Sequence, residues 1–439
     1  MAGGIGEPME WLSVLVLIFA FLAPLTVGVP IAVCLGLSAV ATMLVSIPLD
    51  AALTTAAQRM TTALDSFALL AIPFFILSGN LMNRGGLARR LIDFARALVG
   101  MLPGGLAYVN VVAAMLMGAI SGSAVAAASA IGSILAPRMR QEGYDRGYAA
   151  AVNIAAAPVG LLIPPSNILI VYSLASGGVS IAALFLAGYL PGVLMGLLVM
   201  GAAGAIAAIR GYPRAGTTGI MEAARLFARA VPSLLLIVVV IGGIVAGIFT
   251  ATEAAAVAVV YTLALALIYR EVRLRDLPGI LRESAVMTAV IMLLIGTSMG
   301  MSWIMTYESI PQNAAAAVLG TGNSRMTVLL LINVLLLAVG TFMDMTPAVL
   351  IFTPVFLPVA RSLGIDPVHF GMIMVYNLCI GLCTPPVGSV LFVGCSVAGT
   401  SIAQVIRPLL PLFAAQVAGL ILVTYVPAIS LWLPRAMGY

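Results

Sequence analysis

Two segments of this sequence place adjacent prolines beside glycine and small polar residues within apolar stretches. The first segment, Gly160–Asn167, contains Pro164-Pro165, and the second, Gly381–Gly388, contains Pro385-Pro386. A proline pair removes two amide donors and prevents a continuous helix. The carbonyl groups released at such a break must bind protein, water or an ion, because unpaired polar groups are costly within a membrane.

The two half-helix ends at each break favour opposite charges. Carbonyl groups at the C-terminus of the first half-helix carry partial negative charge and suit a cation such as Na⁺. Free amides at the N-terminus of the following half-helix suit a carboxylate. Serine and threonine hydroxyls complete either set of ligands. The two breaks therefore predict two related cation sites with a substrate between them.

The amino-acid composition indicates the class of protein in which these breaks occur. Of its 439 residues, 62% are hydrophobic and only 8% are charged, too few to cover a soluble domain of this length. Apolar runs recur along almost the whole chain, and many approach or reach the length that crosses a hydrocarbon core of ~30 Å. We therefore expect an all-α polytopic membrane protein.

The apolar runs predict two halves, each with five crossings, one of them a broken helix, and one re-entrant helical hairpin. The first half covers 1–213, with a hairpin at 98–136 and a broken helix at 147–176. The second covers 231–439, with a hairpin at 326–360 and a broken helix at 368–398. A cytoplasmic interfacial helix, 214–230, is expected to link them on anionic lipid. The remaining predicted crossings are 10–28, 30–47, 67–83, 181–209, 231–250, 254–269, 284–305 and 408–432.

The halves are related by an internal repeat. A shift of 221 residues aligns 137–182 with the second half without a gap, pairing Asp145 with Asp366 and Gly160 with Gly381. Because each half has an odd number of crossings, the second must be inverted relative to the first. Inverted repeats with discontinuous helices indicate a secondary transporter with its binding site near the bilayer midplane.

The positive charges predict the orientation. All 20 basic residues are arginines, and the predicted path places 16 of them on one side, which should face the cytoplasm. Both termini then lie on the periplasmic side. The net charge is +5, but most of the arginines lie between apolar segments on one side of the predicted path. The charge therefore does not indicate a nucleic-acid partner.

A few polar residues within apolar segments leave alternatives open. Asp344, at the tip of the second hairpin, has either a transport role, expected of an acid at membrane depth, or a capping role. Asn153 and Asn377 either line a substrate site or form hydrogen bonds across packed helices. Glu253 either caps a helix, which we expect, or has a transport role.

The sequence gives little support for a metal site or a catalytic site. The four cysteines lie in apolar segments. Cys379 and Cys383 could form a metal-binding pair, but the chain contains only one histidine that could act as a further ligand. We expect buried cysteines, no organic cofactor and no enzymatic activity, since paired intramembrane acids and metalloprotease patterns are also lacking.

Five segments together resemble the large membrane subunit of tripartite ATP-independent periplasmic (TRAP) transporters, over nearly the full chain. They are Ala71–Gly86, Ile120–Val125, Gly160–Ser166, Asp366–Gly371 and Asn377–Gly388. The resemblance implies an elevator-type, Na⁺-coupled importer of organic anions, from C4-dicarboxylates to sugar acids, in the bacterial inner membrane. It also implies a periplasmic substrate-binding protein and a small four-helix membrane subunit, here expected as a separate chain.

The resemblance also implies site residues. One sodium site carries over to Ser121, Gly160, Ile163 and Pro165, and the other to Gly340, Gly381, Thr384 and Val387. Together with the hairpin tips and breaks, this gives a set of candidate substrate residues: Ser123, Asn153, Ser166, Asn167, Asp344, Thr346 and Asn377. The competing hypotheses are a sodium/dicarboxylate-type symporter that works without a binding protein, a membrane-embedded enzyme and a channel.

Overall fold

A computed structural model describes residues 7–216, 219–313, 324–385 and 387–439. In these ranges the regular elements are all helices, and no residue lies in a β-strand. The all-helical class predicted from composition is therefore confirmed. Pro386 of the predicted second break, and two residues of the predicted 214–230 linker, lie outside the described residues.

Most of the described helices follow one another with short connections. Those before residue 210 are α1 (Glu7–Thr26), α2 (Ile31–Ser46), α3 (Leu49–Leu64), α4 (Ala71–Arg84), α5 (Leu87–Val99), α6 (Gly105–Ser121), α7 (Ala124–Gln141), α8 (Arg146–Ala156), α9 (Val159–Leu162), α10 (Asn167–Ala175) and α11 (Ile181–Ile209). Those after it are α12 (Ile220–Val245), α13 (Ala251–Ile268), α14 (Leu277–Tyr307), α15 (Arg325–Gly340), α16 (Met345–Ser362), α17 (Pro367–Gly381), α18 (Ser389–Ala398), α19 (Ile402–Tyr425) and α20 (Ala428–Ala436).

Among the described residues, seven helical segments are long and apolar enough to cross a membrane by length and composition. An eighth candidate is the pair formed by Arg146–Leu162 and Asn167–Ala175, whose axes bend by 54° at the break. This pair coincides with the predicted broken helix at 147–176. The five-plus-five inverted arrangement and the division at 213 and 231 stay predictions.

Three helix boundaries differ from the sequence-based expectation. The first hairpin consists of α6 and α7 rather than 98–136, because a turn ending at Gly104, with φ of 72°, separates it from the amphipathic helix α5. The 214–230 segment is not a separate helix, since from Ile220 it continues into α12 without interruption. The predicted crossing 408–432 is interrupted near Pro427, which separates α19 from α20.

Buried side chains of the core connect the two halves of the chain. Tyr148, Tyr172 and Tyr376 are fully buried, and the Tyr172 hydroxyl donates to the Pro367 carbonyl at 2.6 Å. The Cys383 thiol donates to the Ile154 carbonyl at 3.0 Å. All four cysteines are buried and free, which confirms that they serve as small core residues. The core thus brings the two predicted breaks close together.

The start of α13 confirms the capping role predicted for Glu253. The Thr250 hydroxyl accepts from the Glu253 amide at 3.3 Å, while the Glu253 carboxylate accepts from the Thr250 amide at 2.8 Å. Two amides that would otherwise lack partners at the helix start are satisfied in this way.

Removing the cap should weaken the fold. Thr250→Ala should lower the free energy of unfolding in detergent by about 1 kcal/mol, whereas Thr250→Ser should retain most of it. Thr54→Ala makes the same deletion at an exposed position inside α3, where the hydroxyl only donates to the Asp50 carbonyl, and should change little. Equal effects at both positions in denaturant titrations would contradict the capping role.

Candidate functional site

A cavity of about 1140 Å³ lies where the two hairpin tips and the two helix breaks meet. Its remaining wall is formed by α4 and the first half of α14. Apolar residues make up much of the surface, with polar side chains placed among them, as in most small-molecule sites. The polar lining residues are Asn80, Asn83, Ser121, Ser123, Ser129, Asn167, Arg282, Glu283, Asp344, Thr346 and Ser389.

The first hairpin packs directly on the first break. A Cβ atom on Gly160 would lie 2.3 Å from the Cα of Gly118, so the backbones of α6 and α9 touch. At the tip, Gly122 has a φ of 62°, and a Cβ there would lie 2.8 Å from the Asn167 amide nitrogen. The tip therefore lies against the N-terminus of α10.

The second hairpin meets the second break in the same manner. A Cβ on Gly381 would lie 2.7 Å from the Cα of Gly340. The Gly388 amide donates to the Thr341 carbonyl at 3.3 Å, which ties the tip to the residues after the break. Both breaks are thus held by a glycine–glycine contact between a hairpin arm and a half-helix.

The residues predicted for the first sodium site lie around the first break. Ser121, Gly160, Ile163 and Pro165 are all buried. The Ser121 hydroxyl lies 3.4 Å from the Ser123 amide and lines the cavity. Ile163 packs against α11, where a Cβ on Gly192 would lie 2.5 Å from its side chain. The ligands that this region offers are a hydroxyl and backbone carbonyls, the oxygen donors that hard cations prefer.

The residues predicted for the second sodium site surround the second break. Gly340 and Gly381 touch, as described above, and the Thr384 hydroxyl donates to the Ile380 carbonyl at 2.8 Å. That hydroxyl keeps lone pairs with which it can bind a cation. Val387 is 43% exposed, so only its backbone suits a ligand role.

Four of the predicted substrate residues line the cavity. Ser123 and Asp344 begin the second arms of their hairpins, α7 and α16, and the 221-residue shift pairs them. Ser123 caps its helix by accepting from the Ala126 amide at 3.2 Å, whereas Asp344 makes no side-chain cap and is exposed to the cavity. Asn167 and Thr346 complete the group.

The other three predicted substrate residues lie away from the cavity lining. The Asn153 amide donates to the Ala128 carbonyl at 2.8 Å, and the Asn377 amide donates to the Asn333 carbonyl at 2.9 Å. Ser166 is buried and donates its hydroxyl to the Leu161 carbonyl. For the two asparagines, the structure shows the cross-helix hydrogen bonds that the sequence had left as an alternative.

Several lining residues were not among the sequence candidates. Ser389 begins α18 directly after the second break, and its buried hydroxyl has no hydrogen-bond partner in the described chain. Its position at a half-helix N-terminus was a signal that could have identified it. Asn80 and Asn83 lie on α4 and Arg282 on α14, and sequence separation gives no sign that these helices face the hairpins.

One end of the cavity is lined by Arg282 and Glu283 of α14. There Arg84 of α4 forms an ion pair with Glu283 of α14, and the Asn80 amide donates to the Ser284 hydroxyl at 2.8 Å. These contacts connect the two helices that form the wall opposite the hairpins.

An all-helical membrane protein with two hairpins and two helix breaks around one large cavity belongs to the class of membrane transport proteins. Residues 16–429 match the family model described as tripartite ATP-independent periplasmic transporter, DctM component. The chain therefore belongs to this family, the large permease subunits of TRAP transporters, and is not an enzyme. Membership implies a periplasmic binding protein and a small membrane subunit as partners.

Full-length relatives agree with this assignment. The chain is 54% identical to the uncharacterised protein YgiK of Salmonella typhimurium, over 96% of this chain and 97% of that one. It is 44% identical to the C4-dicarboxylate TRAP transporter large permease protein DctM of Pseudomonas aeruginosa, over 92% and 94%. It is 41% identical to the isethionate TRAP transporter permease protein DctMQ of Oleidesulfovibrio alaskensis, over 96% of this chain and 67% of that longer one.

A solved structure shares the fold. The Alcanivorax borkumensis YdaH transporter superposes with a TM-score of 0.61 at 17% identity, over 88% of this chain and 89% of that one. The likeness supports the helical transporter architecture.

The glycine contacts at the breaks yield a stability prediction. Gly381→Ala should lower the free energy of unfolding by about 1–3 kcal/mol, because the backbone of Gly340 cannot move away from the new methyl group. Gly201→Ala, at a helical position with nothing within 4 Å, should be neutral or stabilising by up to about 1 kcal/mol. Thermal or denaturant unfolding in detergent measures both, and a Gly381→Ala protein as stable as the Gly201→Ala control would contradict the close contact.

Proposed function

We propose that this chain is the permease subunit of a Na⁺-coupled secondary transporter that imports a small organic anion by an elevator mechanism. The anion would be delivered by a periplasmic binding protein, and the chain would lie in the bacterial inner membrane with both termini periplasmic. The observation that carries the proposal is the single cavity at which both hairpin tips and both breaks converge. Such convergence gives cation ligands and anion ligands within one chamber.

The anion is proposed to lie among the half-helix N-termini. Asn167 begins α10 and lines the cavity, and Ser389 begins α18 with an unpartnered hydroxyl. Amide groups at helix starts, together with these side chains, offer donors to a carboxylate or sulfonate. Ser123 and Thr346 add hydroxyls from the hairpin tips.

Asp344 supports cation coupling. A carboxylate that faces the chamber repels an anionic substrate, and the repulsion is strong where the dielectric constant is low. A cation bound near Asp344 would neutralise this repulsion, so that the anion and the cation bind together. The hydroxyl of Thr384 and the carbonyl groups of the second break are the proposed further ligands of that cation.

The packing supports an elevator rather than independent gates. The Gly118–Gly160 and Gly340–Gly381 contacts attach each hairpin to its own break, so each pair is suited to move as one body. The wall opposite consists of α4 and α14, joined by the Arg84–Glu283 ion pair. Movement of the hairpins and breaks against this wall would carry the cavity across the membrane.

The names of the relatives suggest a substrate class. The Pseudomonas aeruginosa protein is named for C4-dicarboxylates and the Oleidesulfovibrio alaskensis protein for isethionate. Both are small organic anions, so we propose a substrate of this class. The small membrane subunit is proposed to be a separate chain of four helices.

Reconstitution tests the proposal directly. The chain, its small subunit and its binding protein, placed in proteoliposomes, should accumulate an organic anion only under an inward Na⁺ gradient. Uptake that persists without the binding protein would instead favour a stand-alone symporter, and uptake indifferent to Na⁺ would contradict both cation sites. A flux that does not saturate with substrate would favour a channel.

The role of Asp344 has its own test. Asp344→Ala should abolish Na⁺-driven uptake, because the proposed coupling cation loses its carboxylate ligand. Expression and the unfolding midpoint should not change, because the side chain makes no capping hydrogen bond. Asp344→Asn should also lose Na⁺-dependent uptake, since it keeps the size but removes the charge. Asp65→Ala removes an exposed carboxylate outside the cavity and should transport normally. An unchanged rate in the two Asp344 variants would show that this acid is structural.

A further inference from the structure

A second, smaller pocket has no lining residue in common with the transport cavity. It has a volume of about 410 Å³ and lies between α5, the first turns of α12 and the loop after α13. Its charged lining residues are Arg89, Arg90 and Asp93 of α5, Arg229 of α12 and Glu271 of the loop. We refer to it as the α5–α12 pocket. Three cationic side chains against two carboxylates leave it positive.

The cationic side chains of this pocket lack carboxylate partners. The ion pairs found in the described part of the chain are Arg84–Glu283, Arg210–Asp145 and Arg275–Asp276. None of them includes a residue of the α5–α12 pocket. Guanidinium groups that converge on a pocket without pairing to its carboxylates are suited to a bound anion, above all a phosphate.

The pocket is held by packing on both sides. The Arg90 guanidinium lies 3.3 Å from the centre of the Tyr269 ring, which fixes its side chain. Phe94 of α5 packs on Phe227 of α12 with ring centroids 5.5 Å apart. At the turn before α5, a Cβ on Gly86 would lie 2.9 Å from the Glu271 carboxylate. Both helices and the loop therefore meet around a defined space.

Apolar side chains next to the pocket remain exposed. Phe227 is 49% exposed, while Ile220 and Met221 at the start of α12 are 92% and 84% exposed. Leu98, in the last turn of α5, and Met101, just after α5, are also more than half exposed. Because α12 continues from here as a membrane-spanning segment, this region lies at the boundary between headgroups and acyl chains.

We propose that the α5–α12 pocket binds the headgroup of an anionic glycerophospholipid. Arg89 and Arg229 would hold the phosphodiester, and the carboxylates of Asp93 and Glu271 would accept hydrogen bonds from headgroup hydroxyls. The acyl chains would lie along Phe227 and the apolar start of α12. A free phosphate satisfies the arginines but leaves these apolar surfaces uncovered, which is why the lipid is the favoured occupant.

The position of the pocket gives the lipid a structural consequence. Helix α5 is the only described segment that leads from α4, in the wall of the transport cavity, to α6, the first hairpin arm. A lipid bound between α5 and α12 would fasten this connecting helix to a membrane-spanning helix. The proposal is independent of the substrate and of the coupling ion.

Binding to delipidated full-length protein in detergent tests the proposal. Native mass spectrometry and thermal shift would compare phosphatidylglycerol with phosphatidylcholine of the same acyl chains and with inorganic phosphate alone. We expect phosphatidylglycerol alone to bind and raise the unfolding midpoint. Equal stabilisation by phosphatidylcholine, or by inorganic phosphate, would overturn the assignment of an anionic lipid.

Matched variants locate the site. The double variant Arg89→Gln/Arg229→Gln should bind phosphatidylglycerol about thirtyfold more weakly, since each arginine near an anionic surface contributes about fivefold. The double lysine variant should retain most of the binding, because an ammonium also binds phosphate. Arg275→Gln, whose side chain is 73% exposed outside the pocket, is the matched control and should bind normally. Unchanged binding in the glutamine variant, with a normal elution profile, would overturn the proposal.

Discussion

The structure depends on how backbone polar groups are satisfied where helices break inside an apolar protein. A break releases carbonyl and amide groups that a hydrocarbon environment cannot hydrate, so neighbouring segments must approach closely enough to supply partners. At the first break the Ser166 hydroxyl donates to the Leu161 carbonyl, and at the second the Gly388 amide donates to the Thr341 carbonyl. Glycine is the residue that permits this approach, and both breaks use it. Gly160 touches Gly118, and Gly381 touches Gly340, with too little room for a methyl group at either contact.

This constraint also explains why one cavity serves both halves. Each hairpin must cover its own break, and the breaks are packed near each other by contacts such as that between Cys383 and the Ile154 carbonyl. The tips, the half-helix ends and their polar side chains then converge on one cavity. The chamber also contains an acid, Asp344, on which the proposed coupling of cation and anion rests.

The polar residues of the chain divide by this geometry into two groups. Side chains at hairpin tips and half-helix starts face the chamber, as Ser123 and Asn167 do. Other buried polar side chains bond to a neighbouring helix instead, as the Asn377 amide does to the Asn333 side-chain oxygen at 2.9 Å. The role of a buried asparagine therefore depends on the groups that surround it in the fold.

The sequence by itself determined the helical membrane class and the two breaks, because composition and proline pairs act locally. It also determined the cap at Glu253, which depends on a spacing of three residues. The tertiary structure alone decided that Asn153, Asn377 and Ser166 lie off the cavity while Asn80, Asn83, Arg282 and Ser389 line it. It alone decided that α5 is a separate helix and that α12 begins at Ile220. These features depend on which faces meet between segments far apart in the chain, and local patterns carry no information about such contacts.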